Sequence, residues 1–121
     1  MGSKVNAKKE QFKYAAIYAR KSKFSEKGES ISNQLNRGKA LCESRGWKYK
    51  EYKDTDYSGK NLDRPDFERM YKDIENGLIH TVICYKLDRV SRSVNDFSSL
   101  ITDLTDRGVD FISLTENFDT T

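Results

Sequence analysis

The sequence contains few of the residues that build disulfide frameworks and metal centres. Its 121 residues include two cysteines and one histidine. Cys42 and Cys84 are isolated, so they form neither a disulfide framework nor a metal-binding pair, and a reducing compartment is expected. Both are predicted to be core residues, Cys42 on the apolar face of a helix and Cys84 in a buried strand. No cluster of histidine, cysteine or carboxylate residues has the spacing of metal ligands, and Asp54 and Asp56 alone are too few for a hard cation.

Long hydrophobic runs are also missing. The longest uncharged, apolar-leaning run is Gly77–Tyr85, about half the length of a membrane span. The N-terminus has no apolar stretch of the kind that forms a secretory signal, so a cytoplasmic location is expected. Hydrophobic residues make up 36% of the chain and charged residues 34%, which predicts one domain with a small core under a charged surface. Residues 1–12 are expected to be a flexible basic leader, and residues 13–121 one domain.

Charge is unevenly distributed, although the net charge is only +3. Residues 1–27 carry eight basic and two acidic residues, and residues 101–121 carry one basic and five acidic residues. A basic end and an acidic end indicate a polarised surface that could face a polyanion such as nucleic acid. A charged surface that is merely solvated explains the same pattern, and charge alone does not choose between the two.

Strand-like and helix-like segments alternate about every thirty residues, which is typical of βαβ units. The charged second strand, Trp47–Thr55, is expected at an edge of the sheet. The predicted fold is therefore α/β: an open, mainly parallel sheet of four to five strands with helices on both faces. The predicted segments are the strands Lys13–Arg20, Trp47–Thr55, Thr81–Tyr85 and Val109–Leu114, and the helices Ser30–Arg45, Pro65–Gly77 and Val94–Arg107.

Charged and hydroxyl side chains follow the strands, at the sheet edge where open α/β folds bind ligands. Four arginines and one serine converge on that edge, and a guanidinium matches the oxygens of a phosphate while staying charged. Alternation along the first strand predicts Tyr18, Arg20 and Ser22 on one face. The residues concerned are Arg20 and Ser22 after the first strand, Asp54, Asp56, Ser58 and Arg64 after the second, and Lys86, Asp88, Arg89 and Arg92 after the third.

Each of these residues also has a structural explanation. Ser22 is explained as a turn residue, Asp88 with Arg89 as a structural ion pair, and Gln34 as a surface residue of the first helix. Trp47 and the tyrosines of the second strand are interpreted as packing residues, with base stacking as the alternative. Convergence of so many groups on one edge favours a phosphate site over separate structural roles.

Two familiar chemistries are excluded by position or by motif. His80 is predicted to precede the third strand, at the opposite edge from Ser22, so a Ser-His-Asp triad is not expected. Neither G-x-G-x-x-G nor a Walker loop occurs, which argues against a bound dinucleotide or ATP. The sequence therefore predicts no cofactor.

In combination, these motifs resemble the N-terminal catalytic domain of the serine recombinase (resolvase/invertase) family. The resemblance runs from about Tyr14 to Thr121, and the motifs occur in the order found in the family. The stretch Lys23–Glu29 is longer than in compact resolvases. In this stretch and in the pair Arg64-Pro65, the sequence is more similar to the large serine recombinases of phages and conjugative elements. The motifs are Tyr18-Ala-Arg20-Lys-Ser22, Gln34, Ser58-Gly59 with Arg64-Pro65, Lys86-Leu-Asp88-Arg89 with Arg92, and the closing segment Ser113–Thr120.

The resemblance implies an enzyme that cleaves and rejoins DNA by transesterification, with a 5′-phosphoserine intermediate and without metal or ATP. Ser22 would be the nucleophile, and Arg20, Arg89, Arg92 and Arg64 would bind the scissile phosphate. Whether Asp54 or Asp56 is the acid of the second loop stays open, and Asp56 is taken as the supporting residue. The supporting residues would be Tyr18, Gln34, Asp56, Ser58, Lys86 and Asp88.

The implied partner is double-stranded DNA, with no membrane, in the cytoplasm of a bacterium or encoded by a phage. A dimer or tetramer is implied for the full-length protein and a monomer for this fragment, which is expected to lack the dimerisation helix and the DNA-binding regions. Two other functions stay open: a non-catalytic α/β regulatory or interaction domain, and an enzyme acting on small phosphoesters.

Overall fold

Five strands form one sheet in the computed structural model, which describes residues 13–22, 30–56, 65–85, 94–115 and 118–119. The order across the sheet is β2-β1-β3-β4-β5. The first four strands run parallel, and β5 pairs antiparallel with β4. The strands are β1 (Tyr14–Ser22), β2 (Tyr49–Asp56), β3 (Ile79–Cys84), β4 (Asp110–Ser113) and β5 (Phe118–Asp119), and the helices are α1 (Ile31–Arg45), α2 (Pro65–Glu75) and α3 (Val94–Asp106).

This architecture confirms the predicted α/β class and places the charged second strand at the edge. Some boundaries were wrong. β2 begins at Tyr49 rather than Trp47, and β1 continues to Ser22 because it keeps pairing with β2 up to Asp56. β3 begins at Ile79 rather than Thr81, so His80 lies within the strand instead of before it. The pairing of Tyr14 with Ile79 extends β3 toward its amino end.

The two faces of β1 belong to two different hydrophobic clusters, as the alternation of strand side chains requires. Ile17 and its neighbours on one face pack with Leu35 and Cys42 of α1. Tyr18 on the other face packs in a cluster that includes Met70 of α2 and Leu104 of α3. Helices therefore cover both faces, as predicted.

The helix α1 lies unusually close to β1 at Gly38. A Cβ atom added there would stand 2.5 Å from Cγ2 of Ile17, a distance that real Cβ atoms do not adopt. The glycine in mid-helix, which weakens helix formation on its own, is thus explained by packing. Close approach of α1 brings its first turns against the end of β1.

Both cysteines are buried, which confirms their prediction as core residues. Burial raises the pKa of the Cys42 thiol to about 11, so the thiol stays protonated and unreactive near neutral pH. Within the described part of the chain, no helix is long and apolar enough to cross a membrane.

Candidate active site at the carboxyl edge of the sheet

The ends of β1 and β2 lie side by side at the carboxyl edge. Arg20 is the register partner of Asp54, and Ser22 is the register partner of Asp56. Neighbouring strands are about 4.8 Å apart, so these four backbone positions form one small group. The predicted convergence of the first two strand ends is confirmed for the backbone.

A side-chain amide continues the hydrogen bonding of β1 where β3 has ended. The last residue of β1 paired with β3 is Tyr18, opposite Cys84. Beyond it, Oε1 of Gln34 accepts from the Arg20 amide at 3.3 Å, and Nε2 of Gln34 donates to the Arg20 carbonyl at 3.2 Å. Gln34 therefore occupies the place of a missing strand residue and holds the main chain two residues before Ser22.

Burial of Gln34 shows that this contact is part of the core. The side chain is 1% exposed, so the interpretation of Gln34 as a surface residue of the helix was wrong. A buried carboxamide is costly unless its donor and acceptor are bonded, and the Arg20 peptide group bonds both. Its position is set in turn by Ser30, the N-cap of α1, whose hydroxyl accepts from the Asn33 amide.

A buried carboxylate, that of Asp54 in β2, links β2 to β1 and to α2 at this edge. Asp54 is 6% exposed and accepts the Tyr18 hydroxyl at 2.7 Å. It also accepts the amides of Asp66 and Phe67, both at 3.0 Å, in the first turn of α2. Those amides have no partner inside their helix, and the positive end of the helix dipole favours the carboxylate. Asp54 thus ties β1, β2 and the start of α2 together.

The same turn of α2 covers the free edge of β2. Asp66 accepts the Lys53 amide at 2.8 Å, and Arg69 donates to the Glu51 carbonyl at 3.2 Å. Since β2 is the edge strand, these main-chain groups have no neighbouring strand to bond. The contacts fix the beginning of α2, directly after Arg64 in the chain, at the end of β2.

The chain leaving β3 is held by the chain leaving β4. The Cys84 carbonyl accepts the Leu114 amide at 2.9 Å. The Tyr85 carbonyl accepts both the amide of Thr115, at 3.2 Å, and its hydroxyl, at 2.9 Å. Tyr85, the last described residue after β3, is therefore held by the chain leaving β4.

Arg37, which is not among the arginines predicted to form the site, also lies at this edge. The guanidinium of Arg37 stands over the ring of Tyr85, 5.4 Å from the ring centroid. Arg37 is exposed and follows Gln34 by three residues on α1, so the two side chains lie on neighbouring parts of one helix face. Arg37 thus places a positive charge beside Tyr85 at this edge, in addition to the arginines predicted from the sequence.

The predicted site residues fall into three groups. Tyr18, Arg20 and Gln34 are described at the end of β1, where Gln34 bonds the main chain of Arg20 and Tyr18, on the other face of the strand, bonds Asp54. Ser22 and Asp56 are located there by their backbone positions, and their side chains lie outside the described part. Six more predicted residues lie outside the described residues altogether: Ser58, Arg64, Lys86, Asp88, Arg89 and Arg92.

The contacts of Asp54 and Thr115 are what sequence reasoning missed. Asp54 was one of two candidate acids, and it is the one that bonds Tyr18. Its alternation with buried Tyr52 along β2 was the available signal, because it places both side chains on the inner face. Nothing local in the sequence indicates that Thr115 bonds Tyr85, thirty residues away.

The single histidine lies at the opposite edge, as predicted despite the shifted strand boundary. His80 is the second residue of β3, level with Tyr14 and Ala15, and its ring packs edge-on against Trp47 at 4.8 Å. Ser22 is seven residues further along β1, about 23 Å away at strand spacing. A histidine-activated serine is excluded by this distance.

Fold and candidate site together define an α/β protein with a mainly parallel sheet, whose described candidate residues lie at the carboxyl edge around the end of the interior strand β1. The family model described as "Resolvase, N terminal domain" matches residues 15–121. The chain therefore belongs to the resolvase family of serine recombinases, through the N-terminal domain of that family.

Individual relatives agree with this assignment. The sequence is 44% identical to the N-terminal catalytic domain of TP901-1 integrase, and the crystal structure of that domain matches with a TM-score of 0.76. The match covers 89% of this chain and 82% of that one. The serine recombinase gin of Escherichia phage Mu is 41% identical over 63 residues, and the DNA-invertase hin of Salmonella typhimurium is 43% identical over 63 residues. Each alignment covers 52% of this chain and 32% of the relative. The matched part is thus about a third of the length of these curated relatives.

Proposed function

We propose that this chain is the catalytic domain of a site-specific serine recombinase that cleaves and rejoins double-stranded DNA. The observation that carries the proposal is the end of β1. Arg20 is held there by Gln34 through two hydrogen bonds, and Ser22 follows at the last strand position, among the motifs shared with the family. DNA as the substrate is supported by the relatives, which are named as recombinases and DNA-invertases.

The proposed reaction exchanges one phosphate ester for another. The Ser22 hydroxyl loses its proton and its oxygen attacks the scissile phosphorus. The bond from phosphorus to the 3′-oxygen breaks, and that oxygen leaves with a proton as a 3′-hydroxyl. The product is a 5′-phosphoserine, and attack by a 3′-hydroxyl on it reverses the step and rejoins DNA. Because one ester replaces another, rejoining needs no nucleotide.

Arginine charge would supply most of the stabilisation of the transition state. Arg20 follows Tyr18 by two residues, on the same face of β1, and a guanidinium close to the phosphate lowers the energy of the extra negative charge. Arg64, Arg89 and Arg92 are assigned the same role by their motifs. A fixed main chain at Arg20 matters because stabilisation of this kind depends on charges that are already in place.

Tyr18, Gln34 and Asp54 would act as positioning residues. Each is buried and bonded to the main chain or to another site element, so none is available for proton transfer to DNA in this arrangement. Of the two acids at the end of β2, Asp54 is therefore assigned the role of holding Tyr18 and α2. Ser58, Lys86, Asp88 and Asp56 remain supporting residues by their motifs.

The full-length protein would bind double-stranded DNA as a dimer or tetramer in the cytoplasm of a bacterium, encoded by the bacterium or by a phage. Its origin among the large serine recombinases stays a prediction. The identity to TP901-1 integrase supports it.

Trapping of the covalent intermediate tests the proposal. The full-length protein would be incubated with a duplex carrying an end of the genetic element that encodes it, nicked beside the cleavage point, and denatured with detergent. Protein-linked DNA is expected with the wild type and absent with Ser22→Ala, while both bind the duplex in a gel-shift assay. Ser44→Ala is the matched control, since Ser44 lies in the last turns of α1 and bonds only the Leu41 carbonyl among the contacts described.

An adduct with both the wild type and Ser22→Ala would place the nucleophile elsewhere. DNA binding without any adduct would instead favour a non-catalytic regulatory domain.

A further inference from the structure

Arg37 is a fixed positive charge at the carboxyl edge. Cα–Cβ bonds tilt toward the start of a helix, so this side chain reaches back from the second turn of α1 toward the edge where Gln34 holds Arg20. Its guanidinium lies over the ring of Tyr85. The Tyr85 main chain is itself bonded twice to Thr115, so the ring under the guanidinium has a fixed base.

The charge of Arg37 is not used by a carboxylate within the described part of the chain. Two other described arginines do pair with carboxylates: Arg69 contacts Asp66 at 3.3 Å, and Arg107 contacts Asp103 at 3.2 Å. Arg37 has an aromatic ring as its neighbour instead, and the residue is exposed. A ring under a guanidinium does not use its N–H donors, which can still bond an anion. An arginine held in this way is ready to bind an anion.

Position favours a phosphate over any other anion. Arg37 stands over Tyr85 and lies one turn after Gln34, which holds the Arg20 main chain. In the sequence, Tyr85 directly precedes the motif that contains Lys86, Arg89 and Arg92. However, α1 covers the face of β1 opposite to that of Tyr18 and Arg20. Arg37 is therefore displaced from the phosphate that Arg20 would contact, toward the neighbouring part of the backbone.

We propose that Arg37 binds a DNA backbone phosphate next to the scissile one, using the edge of its guanidinium while Tyr85 supports the face. This inference rests on the proposed function, since it needs DNA at the carboxyl edge. The contact would help to set where along the strand the nucleophile meets the backbone, since phosphate contacts fix register rather than sequence.

The salt dependence of DNA binding tests this contact. Each neutralised phosphate contributes about −0.9 to the slope of log affinity against log salt concentration. For Arg37→Met, which keeps an unbranched side chain over Tyr85 without the charge, we expect the slope to become shallower by about 0.9. The affinity at 0.1 M salt should fall roughly five- to tenfold. Arg37→Lys should keep the slope.

Arg45→Met is the matched control. Arg45 lies on the same helix, with its guanidinium over the Trp47 ring at 5.0 Å, but at the amino edge. The full-length protein and the duplex of the trapping experiment would be used throughout, with the rate of adduct formation as the second readout. We expect Arg45→Met to bind and cleave like the wild type, and Arg37→Met to form the adduct more slowly at limiting protein.

An unchanged slope for Arg37→Met would overturn the inference. Equal loss of slope with Arg37→Lys and Arg37→Met would also overturn it, because the charge would then not be what matters. These two conclusions about Arg37 apply when the wild type forms the adduct. A wild type that binds DNA without forming one would overturn the proposed function instead.

Discussion

The two edges of the sheet are built by different means. At the amino edge, each helix connects to the next strand through three residues: 46–48, 76–78 and 107–109. At the carboxyl edge, the connections from strand to helix are residues 23–30, 57–64 and 85–93, which are eight, eight and nine residues long. Short connections close the structure, whereas long ones provide room for side chains that bind and react.

Main-chain hydrogen bonds form the turns of the amino edge. After α1, the Gly46 amide donates to the Glu43 carbonyl and the Trp47 amide to the Cys42 carbonyl, the two bonds of a Schellman turn. Gly46 has a φ of 69°, which favours glycine. The turns at Gly77 and Gly108 repeat both the bonds and the positive φ. Such a turn is complete within six residues.

Side chains bonded to distant main-chain groups hold the carboxyl edge. The Gln34 side-chain carboxamide bonds the main chain of Arg20. The Asp54 carboxylate accepts from the Asp66 amide of α2, and the Thr115 hydroxyl donates to the Tyr85 carbonyl. We therefore expect that substitutions at the two edges of the sheet can change stability and activity separately. Changes at the carboxyl edge should affect cleavage beyond their effect on folding, and changes at the amino edge should affect folding alone.

Removing the Asp54 carboxylate should have the largest effect on stability. Asp54→Ala leaves the Tyr18 hydroxyl and two amides of α2 without their acceptor, so the free energy of unfolding should fall by about 3 kcal/mol. Urea unfolding measures the loss. Tyr18→Phe removes one of the three bonds and should cost about 1 kcal/mol. Equal losses in the two variants would show that the bonds to α2 contribute nothing.

Gln34→Ala tests whether the carboxyl edge separates stability from activity. It leaves the amide and carbonyl of Arg20 without their partner, and should lower the free energy of unfolding by about 2 kcal/mol. A displaced Arg20 should also slow formation of the covalent adduct roughly 10- to 100-fold under conditions where the variant is fully folded. Adduct formation at the wild-type rate would remove Gln34 from the positioning residues.

Gly46→Ala is the corresponding test of the amino edge. An alanine is strained at a φ of 69°, so the free energy of unfolding should fall by about 1 kcal/mol. Gly46→Asn should lose less, because asparagine tolerates this conformation better. Adduct formation per folded molecule should be unchanged in both variants. A slower rate would contradict the separation of the two edges.

His80 provides the smallest expected effect, a pH dependence confined to the amino edge. Burial, with the nearby Lys13 charge, lowers the pKa of His80 below its ordinary value of 6.5, while Asp110 opposes the shift. The folded state then resists protonation. Stability is therefore full above about pH 6.5 and falls as the pH drops toward the folded pKa.

His80→Gln should flatten this part of the pH profile, with a difference below about 1 kcal/mol because solvent reaches the half-buried ring. Urea unfolding of both proteins between about pH 7.5 and 5, the range in which histidine titrates, measures the difference. Parallel profiles would show that His80 does not titrate differently in the two states.

Much of the fold was predictable because its signals are local. Gly46 ends α1 and Pro65 begins α2 where the sequence predicts, and the apolar periodicity identified all three helices. Strand boundaries were less accurate. The sequence predicts β3 only from Thr81, because His80 is polar. The pairing of Tyr14 with Ile79 and the packing of the His80 ring on Trp47 place His80 within the strand.

The contacts at the carboxyl edge were less predictable than the residue types found there. Residue types after each strand predict a site at this edge, and Gln34 bonds the Arg20 main chain there. The roles of these residues stay predictions. The burial of Gln34 and the choice of Asp54 as the partner of Tyr18 were not predictable. Gln34 bonds a residue fourteen positions away, and Asp54 bonds one thirty-six positions away.

By itself, the sequence determined the order of helices and strands, the turns of the amino edge and the residue types at the carboxyl edge. Each of these depends on interactions between residues close together in the chain. Only the tertiary structure decided that Gln34 completes β1, that Asp54 joins three elements and that Arg37 lies over Tyr85. Those contacts join distant parts of the chain, and they exist only once packing has brought the helices against the sheet.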